Sequence, residues 1–108
     1  VGLGQRPGAP QPEIGLGTDA FHTPPALRAL AQAYFSDQGC EVGVDEPFSG
    51  AFVPTAYWRC DARVQALMVE VRRDLYMDEA TGARHEGFAR VQVLLAGFRK
   101  VLAAYAAA

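Results

Sequence analysis

The sequence predicts an α/β fold, because strand-like segments alternate with two helical segments. Residues 66–71 (ALMVEV) are almost entirely apolar, as in a strand covered on both faces of a sheet. Residues from 85 onward repeat apolar side chains at intervals of three and four, as in an amphipathic helix. The order strand, helix, strand, loop, strand, helix is typical of layered α/β domains. Three strands are few for such a sheet, so we expect residues outside this chain to complete it.

The first half of the chain contains the clearest helix signal. Residues 1–12 are rich in Gly and Pro and predict a loop or linker, and residues 13–17 predict a strand. Thr23 precedes two prolines, so its hydroxyl is expected to cap a helix that begins at the prolines. Gly39 is the expected residue just after the end of that helix.

The second half of the chain alternates between turn-forming and apolar segments. Residues 40–44 predict a strand, and residues 45–50 (DEPFSG) predict a turn. Residues 51–58 predict an irregular loop packed by its aromatic side chains, and residues 60–65 a short helical turn. Residues 72–82 predict a polar, turn-rich connection. The final helix is expected to end in a frayed tail at 106–108. Residues 13–105 are expected to be the C-terminal portion of a single domain.

Composition excludes several classes of function. The 108 residues carry a formal net charge of -2, which gives no attraction to nucleic acid or to anionic membranes. Charged residues interrupt every apolar run well before the roughly 18 residues of a membrane span. Cys40 and Cys60 lack metal-binding spacing, so we expect two reduced, partly buried thiols in a cytoplasmic protein.

Glu70 is the most unusual residue of the predicted sheet, because it lies between two valines in an apolar strand. A buried carboxylate costs several kcal/mol unless it is paired, protonated or close to a metal. In open α/β sheets, ligand sites lie at the carboxyl ends of strands, and Glu70 is close to such an end. Glu70 is therefore either a general acid/base or one half of a buried salt bridge with Arg72, Arg73 or another arginine.

Other polar residues are weaker candidates for a site. Arg73 has the planar fork that binds carboxylates, but arginines at a strand end are also often solvated or ion-paired. His22 lies in a turn before the first helix, where it is either a hydrogen-bond donor to substrate or a local polar cap. Asp19 is either a turn residue or a residue that orients the histidine. Phe48, Ser49 and Gly50 form a turn that either approaches a ligand or only connects two elements.

These segments also resemble a known family. GTDAFHTPPAL, EPFSGAFVPTAYW and especially MVEVRRDLYMDE are similar to blocks of the N-formylglutamate amidohydrolase family, and the resemblance extends over residues 14–102. It implies part of a three-layer α/β/α sandwich with a mixed sheet, similar to the zinc carboxypeptidases. The implied reaction is hydrolysis of N-formyl-L-glutamate to formate and L-glutamate, a step of histidine degradation.

The resemblance assigns roles residue by residue. It implies that Glu70 is the glutamate that moves a proton from water to the leaving nitrogen, and that Arg73 is the arginine of a Glu-x-x-Arg pattern. Phe48, Ser49 and Gly50 match a turn of the form Asn-x-Pro-Tyr/Phe-x-Gly that borders the substrate. Asp45 departs from this pattern, because it stands where the family has Asn, and an acid there would repel a dicarboxylate if it faced the pocket.

The resemblance further implies a divalent metal, with zinc as the expected ion. A catalytic zinc needs about three protein ligands, and this chain offers no such set, so no residue here is assigned as a ligand. The expected partners are a small N-acyl amino acid and the missing N-terminal part of the same enzyme, and the segment alone is expected to be inactive. Two alternatives stay open: a related amidohydrolase or carboxypeptidase-like enzyme for another N-acyl amino acid, and a non-catalytic α/β domain.

Overall fold

The computed structural model describes residues 11–108, which form a small α/β structure with one three-stranded sheet and two α-helices. The strands are β1 (Ile14–Gly17), β2 (Val42–Val44) and β3 (Met68–Val71), and the helices are α1 (Pro25–Asp37) and α2 (Gly87–Ala107). Two short 3-10 helices, Thr55–Tyr57 and Arg73–Leu75, lie in the connections. The described residues divide into two compact units, with the division after Glu70.

The first unit is built around β1, the central strand in the order β2-β1-β3. β1 and β2 are parallel, with Ile14 opposite Val42 and Leu16 opposite Val44. α1 packs against both strands. Its core is apolar, and it is formed by the buried side chains of Ile14, Leu16, Leu27, Ala31, Phe35 and Val53. Burial of such side chains stabilises the unit by about 1.5–3 kcal/mol for each large residue.

The helix boundaries agree with the sequence patterns except at the cap. α1 begins at Pro25 and is followed by Gly39, whose positive φ of 84° is the conformation expected after a helix end. The predicted hydroxyl cap is wrong, because the residue before the helix is Pro24 and no side chain caps it. The hydroxyl of Thr23 instead donates to the carbonyl of Ala66, 2.6 Å away, just before β3.

Several predictions for the middle of the chain are also wrong. A short helix lies at Thr55–Tyr57, within the predicted loop, while residues 60–65 form turns without a helix. The aromatic side chains pack this loop less than predicted, since Phe52 is 87% exposed and Tyr57 is exposed as well, while the partly exposed Trp58 ring stacks on His22. Cys60 is exposed rather than partly buried. The prediction for residues 1–10 lies outside the described residues.

The second unit contains the short helix Arg73–Leu75, an isolated antiparallel bridge between Met77 and Arg84, and α2. α2 remains helical to Ala107, so the predicted fraying of the tail is wrong. Its less exposed face includes Phe88, Val91, Phe98, Leu102 and Tyr105, as the sequence pattern indicates. Leu95 is exposed, and Leu94 takes its place on that face. No helix within residues 11–108 is long and apolar enough to cross a membrane.

Gly17 is the position where the sheet is most closely approached by neighbouring chain. A Cβ atom added there would collide with the carbonyl oxygen of Gly50 and with the side chain of Met68. A Cβ added at Gly15 would meet only the Cβ of Glu70, at an ordinary 3.7 Å. The absence of a side chain at Gly17 therefore allows a turn to lie directly on the end of β1.

We expect Gly17→Ala to lower the free energy of unfolding by about 2 kcal/mol, because a backbone oxygen cannot move aside as a flexible side chain can. Gly15→Ala is the matched control and should change stability by less than about 1 kcal/mol. Chemical denaturation of the two variants measures both values. Equal free energies of unfolding for Gly17→Ala and Gly15→Ala would show that the turn moves away from Gly17 without a cost in stability.

Candidate functional site

Glu70 projects from the face of the sheet that is opposite to Ile14 and Leu16. Its Cβ lies beside Gly15, and the side chain of Met68 lies beside Gly17. Because side chains alternate along strands, these residues share one face, and the completely buried side chains of Ile14 and Leu16 occupy the other. Gly15 contributes no side chain, so the space beside the carboxylate is not filled from the neighbouring strand.

The prediction that Glu70 is buried is wrong: all four residues of β3 have intermediate exposure. The prediction from the sequence pattern failed because an apolar run does not show that both faces of a strand are covered. Within residues 11–70, the Glu70 carboxylate makes no hydrogen bond or ion pair. In the second unit, the Arg72 guanidinium is paired with Asp74 at 2.6 Å. Glu70 is thus accessible and chemically uncommitted within its unit.

The turn formed by Phe48, Ser49 and Gly50 reaches the same face. The Gly50 amide donates to the carbonyl of Thr18 over 3.0 Å, and its own carbonyl oxygen lies above Gly17. Gly50 has a φ of 92°, a conformation that favours glycine. Gly17 is two residues from Gly15, so the turn and Glu70 are separated by about 7 Å along β1. The structure therefore places Glu70 and this turn on the same face of the sheet.

Asp45 holds the end of β1 to the end of β2. Its two carboxylate oxygens accept hydrogen bonds from the Thr18 amide at 2.7 Å and from the Thr18 hydroxyl at 2.6 Å. Its amide donates to Leu16, which continues the parallel pairing. An asparagine in this position would also fit, because its amide oxygen and nitrogen can pair with the same two groups. The departure from Asn is thereby explained by a local bond.

His22 is completely buried, and neither of its ring nitrogens is available to a substrate. Nδ1 lies 2.7 Å from the carbonyl oxygen of Val64, so it must carry the proton. Nε2 accepts the amide hydrogen of Arg59 at 2.9 Å, so it must be unprotonated. The ring is therefore the neutral Nδ1–H tautomer. This geometry disagrees with the expected substrate contact and favours the structural alternative.

The turn around His22 is also attached to the segment that leads into β3. The Ala66 amide donates to the His22 carbonyl at 2.9 Å, and the Ala66 carbonyl accepts from Thr23. Ala66 lies two residues before β3 begins, so these two bonds fix the start of the strand that carries Glu70. His22 and Thr23 are positioning residues for that strand.

Asp19 stabilises the turn that presents His22. Its Oδ1 accepts the amide hydrogens of Phe21 at 2.8 Å and of His22 at 2.9 Å. Burial by itself raises the pKa of this carboxyl, but the hydrogen bonds from His22 and Phe21 outweigh it, and the pKa lies below its usual 3.8. Of the two alternatives for Asp19, the structure supports a turn residue that also orients His22.

Arg73 begins the short helix of the second unit, and its side chain is exposed. Its carbonyl oxygen accepts hydrogen bonds from the amides of Tyr76 and Met77. Within residues 71–108 its guanidinium makes no ion pair, in contrast to that of Arg72. The role of Arg73 in substrate binding stays a prediction.

Arg59 has an unusual backbone conformation, and no sequence motif predicts a role for it. Arg59 has a φ of 53°, in the left-handed region that few residues other than glycine adopt. Its amide is bonded to His22, and its guanidinium lies 5.2 Å from the centre of the Trp58 ring. An arginine at this position does not predict a left-handed backbone from sequence. The conformation depends on a hydrogen bond to a histidine 37 positions earlier.

Comparison with known proteins identifies the family. The family model of N-formylglutamate amidohydrolase matches residues 2–77. The chain belongs to this family. It is also similar to the crystal structure of N-formylglutamate amidohydrolase from Ralstonia eutropha JMP134, with 32% sequence identity and a TM-score of 0.79. No curated protein matches the chain.

The chain spans only part of that N-formylglutamate amidohydrolase. The alignment covers 94% of this chain and 36% of the Ralstonia eutropha protein. The predicted resemblance to the family is confirmed, and so is an α/β structure. Within residues 11–108, no group of three His, Cys, Asp or Glu side chains could hold a metal ion. The described residues by themselves therefore do not fit the metal centre that the resemblance implies.

We expect His22→Ala to lower the free energy of unfolding by about 3 kcal/mol, because it leaves a cavity and two unpaired backbone groups. Phe21→Ala removes an exposed neighbouring ring and should have a smaller effect. Denaturation curves measure the difference. If His22→Ala kept wild-type stability but weakened substrate binding, the original prediction of a substrate contact would be restored.

The lowered pKa of Asp19 predicts a pH-dependent contribution to stability. A carboxyl whose pKa is lower in the folded state stabilises the fold above its usual pKa, and this contribution is lost as the pH falls through the folded value. Asp19→Asn should therefore be less stable than wild type at neutral pH, and its melting temperature should fall less below pH 3.8. Asp37→Asn, an exposed change on α1, controls for the loss of one charge. Parallel melting curves for Asp19→Asn and wild type at every pH would contradict the assignment.

Proposed function

We propose that this chain supplies the general acid/base of an amidohydrolase that converts N-formyl-L-glutamate to formate and L-glutamate. The observation that carries the proposal is the Glu70 carboxylate, which is half-exposed, unpaired within residues 11–70 and beside a glycine rather than a side chain. Membership of the N-formylglutamate amidohydrolase family supports this choice of substrate. The proposed fold of the complete enzyme is a three-layer α/β/α sandwich similar to zinc carboxypeptidases.

In the proposed reaction, the Glu70 carboxylate accepts a proton from water as the water oxygen bonds to the formyl carbon. The same carboxyl then donates that proton to the nitrogen, and the carbon–nitrogen bond breaks. The products are formate and the free amino group of L-glutamate. Because no hydrogen bond or ion pair within residues 11–70 holds the carboxylate, it is free to turn between water and nitrogen.

The turn that includes Gly50 supports the placement of substrate on this face. Its backbone lies on Gly17, two residues from the glycine beside Glu70. Phe48 is half-buried and Ser49 is exposed, so the turn offers both an apolar and a polar edge to a small molecule. Arg73 remains the predicted contact for a substrate carboxylate. The departure from the family pattern at Asp45 is the feature that favours a different N-acyl amino acid, and the Asp45 carboxylate is hydrogen-bonded to Thr18.

We further propose that the enzyme contains a divalent metal, with zinc as the expected ion, bound by residues outside this chain segment. The proposed reaction has no step on this metal, because the described residues do not form a metal centre. The alternative of a non-catalytic domain is considered because residues 11–108 contain no such ligand group. The proposed setting is the cytoplasm and the degradation of histidine, with the N-terminal part of the enzyme as partner.

In the complete enzyme, Glu70→Gln should lower the kcat for formate release from N-formyl-L-glutamate by on the order of 100-fold, because an amide cannot accept the proton. Its melting temperature should stay close to wild type, since the carboxylate has no partner within its unit. Glu41→Gln is the matched control, because it removes an exposed carboxylate just before β2, the opposite edge strand of the sheet. Formate is measured by a coupled assay.

Two outcomes would contradict this proposal. Turnover by Glu70→Gln at the wild-type rate would remove Glu70 from the chemistry. Absence of both formate release and a stoichiometric divalent metal from the complete, full-length wild-type protein would favour the non-catalytic alternative. Metal analysis of the purified protein decides the second point independently of the assay.

A further inference from the structure

Arg59 is held in a strained and well-defined conformation. Its left-handed backbone is unfavourable for a residue with a side chain, and such conformations persist only where neighbouring groups enforce them. Here the enforcing group is His22, because its Nε2 accepts the Arg59 amide and its Nδ1 is bonded to Val64. The imidazole is buried and cannot turn without breaking both bonds, so the direction of the Arg59 backbone is fixed.

The guanidinium of Arg59 is also ordered by an aromatic surface. It lies over the ring of Trp58, and that ring stacks on His22 with a centroid distance of 5.8 Å and an angle of 29°. Stacking uses the flat face of a guanidinium and leaves its N–H groups, which lie in the plane, free to donate. Within residues 11–70 those groups make no hydrogen bond or ion pair.

The other cationic side chains of residues 11–70 provide a comparison. They are Arg28 and Arg63. Arg63 already holds a carboxylate in its fork, with two bonds of 3.0 and 2.9 Å to Asp61. Arg28 lies on the exposed side of α1 and is not stacked on any ring. Arg59 therefore combines an oriented guanidinium with unoccupied donors, and the Arg63 pair shows the ligand geometry that such a fork accepts.

We propose that Arg59, ordered by Trp58 and His22, binds a carboxylate of a small dicarboxylate ligand. The proposal rests on the function proposed above, for which the dicarboxylate is the N-acyl glutamate substrate. His22 then has two roles, because it fixes both the start of β3 and the backbone of Arg59. Selectivity for an acidic amino acid would then depend on a residue outside the sheet.

Trp58 is the only tryptophan of the chain, so its fluorescence reports directly on this stack. Titration with glutarate, excited where tyrosine does not absorb, should change the emission of the wild-type protein. Glutaramate, which has one carboxylate replaced by an amide, should bind more weakly by about tenfold to a hundredfold. In Arg59→Gln this preference for glutarate should disappear, while Arg28→Gln should keep it.

A second variant separates binding from folding. Arg59→Gly removes the guanidinium and also relieves the left-handed strain, so its melting temperature should not fall, while the preference for glutarate should be lost. The proposal is overturned if glutarate does not perturb Trp58 in the wild-type protein, or if Arg59→Gly and Arg59→Gln both retain the wild-type preference. These measurements need no turnover. A complete wild-type enzyme that binds glutarate but releases no formate would contradict the proposed reaction and leave the Arg59 site standing.

Discussion

The buried imidazole of His22 is the interaction on which the first unit depends. Its two nitrogens are bonded to backbone groups of Val64 and Arg59, residues that are far away in sequence. Its own carbonyl accepts the amide of Ala66, just before β3. Each of these bonds joins the turn after β1 to a segment that has little regular structure of its own. Without the imidazole, the irregular chain between β2 and β3 would contain unpaired polar groups in the interior.

This arrangement explains how a small sheet presents the Glu70 carboxylate. Asp45 and Thr18 join the ends of β1 and β2, and His22 and Thr23 fix the start of β3. Glycines on the face beside Glu70 keep that face open, while the apolar residues on the opposite face provide the core. Rigidity and accessibility are therefore placed on opposite sides of one sheet. A general acid/base requires both, because its carboxylate must be positioned and must also reach water.

The sequence predicted the elements and the family, and it failed mainly on burial and on side-chain partners. Periodicity located both helices and all three strands, because the alternation of apolar residues follows directly from which face of an element is covered. The prediction that Glu70 is buried was wrong, since a short apolar run cannot show whether one face of a strand or both are covered. Thr23 was placed as a helix cap because its position before two prolines is typical of one. Its actual partner is a carbonyl 43 residues later.

The central claim is that His22 is a neutral, structural histidine with its proton on Nδ1. Nitrogen-15 NMR of the imidazole ring at neutral pH tests this most directly, because the two ring nitrogens have different chemical shifts in each tautomer and charge state. We expect a protonated Nδ1 and an unprotonated Nε2, with slow exchange of the Nδ1 proton because the ring is buried. A proton on Nε2, or rapid exchange of the ring proton with solvent, would contradict it.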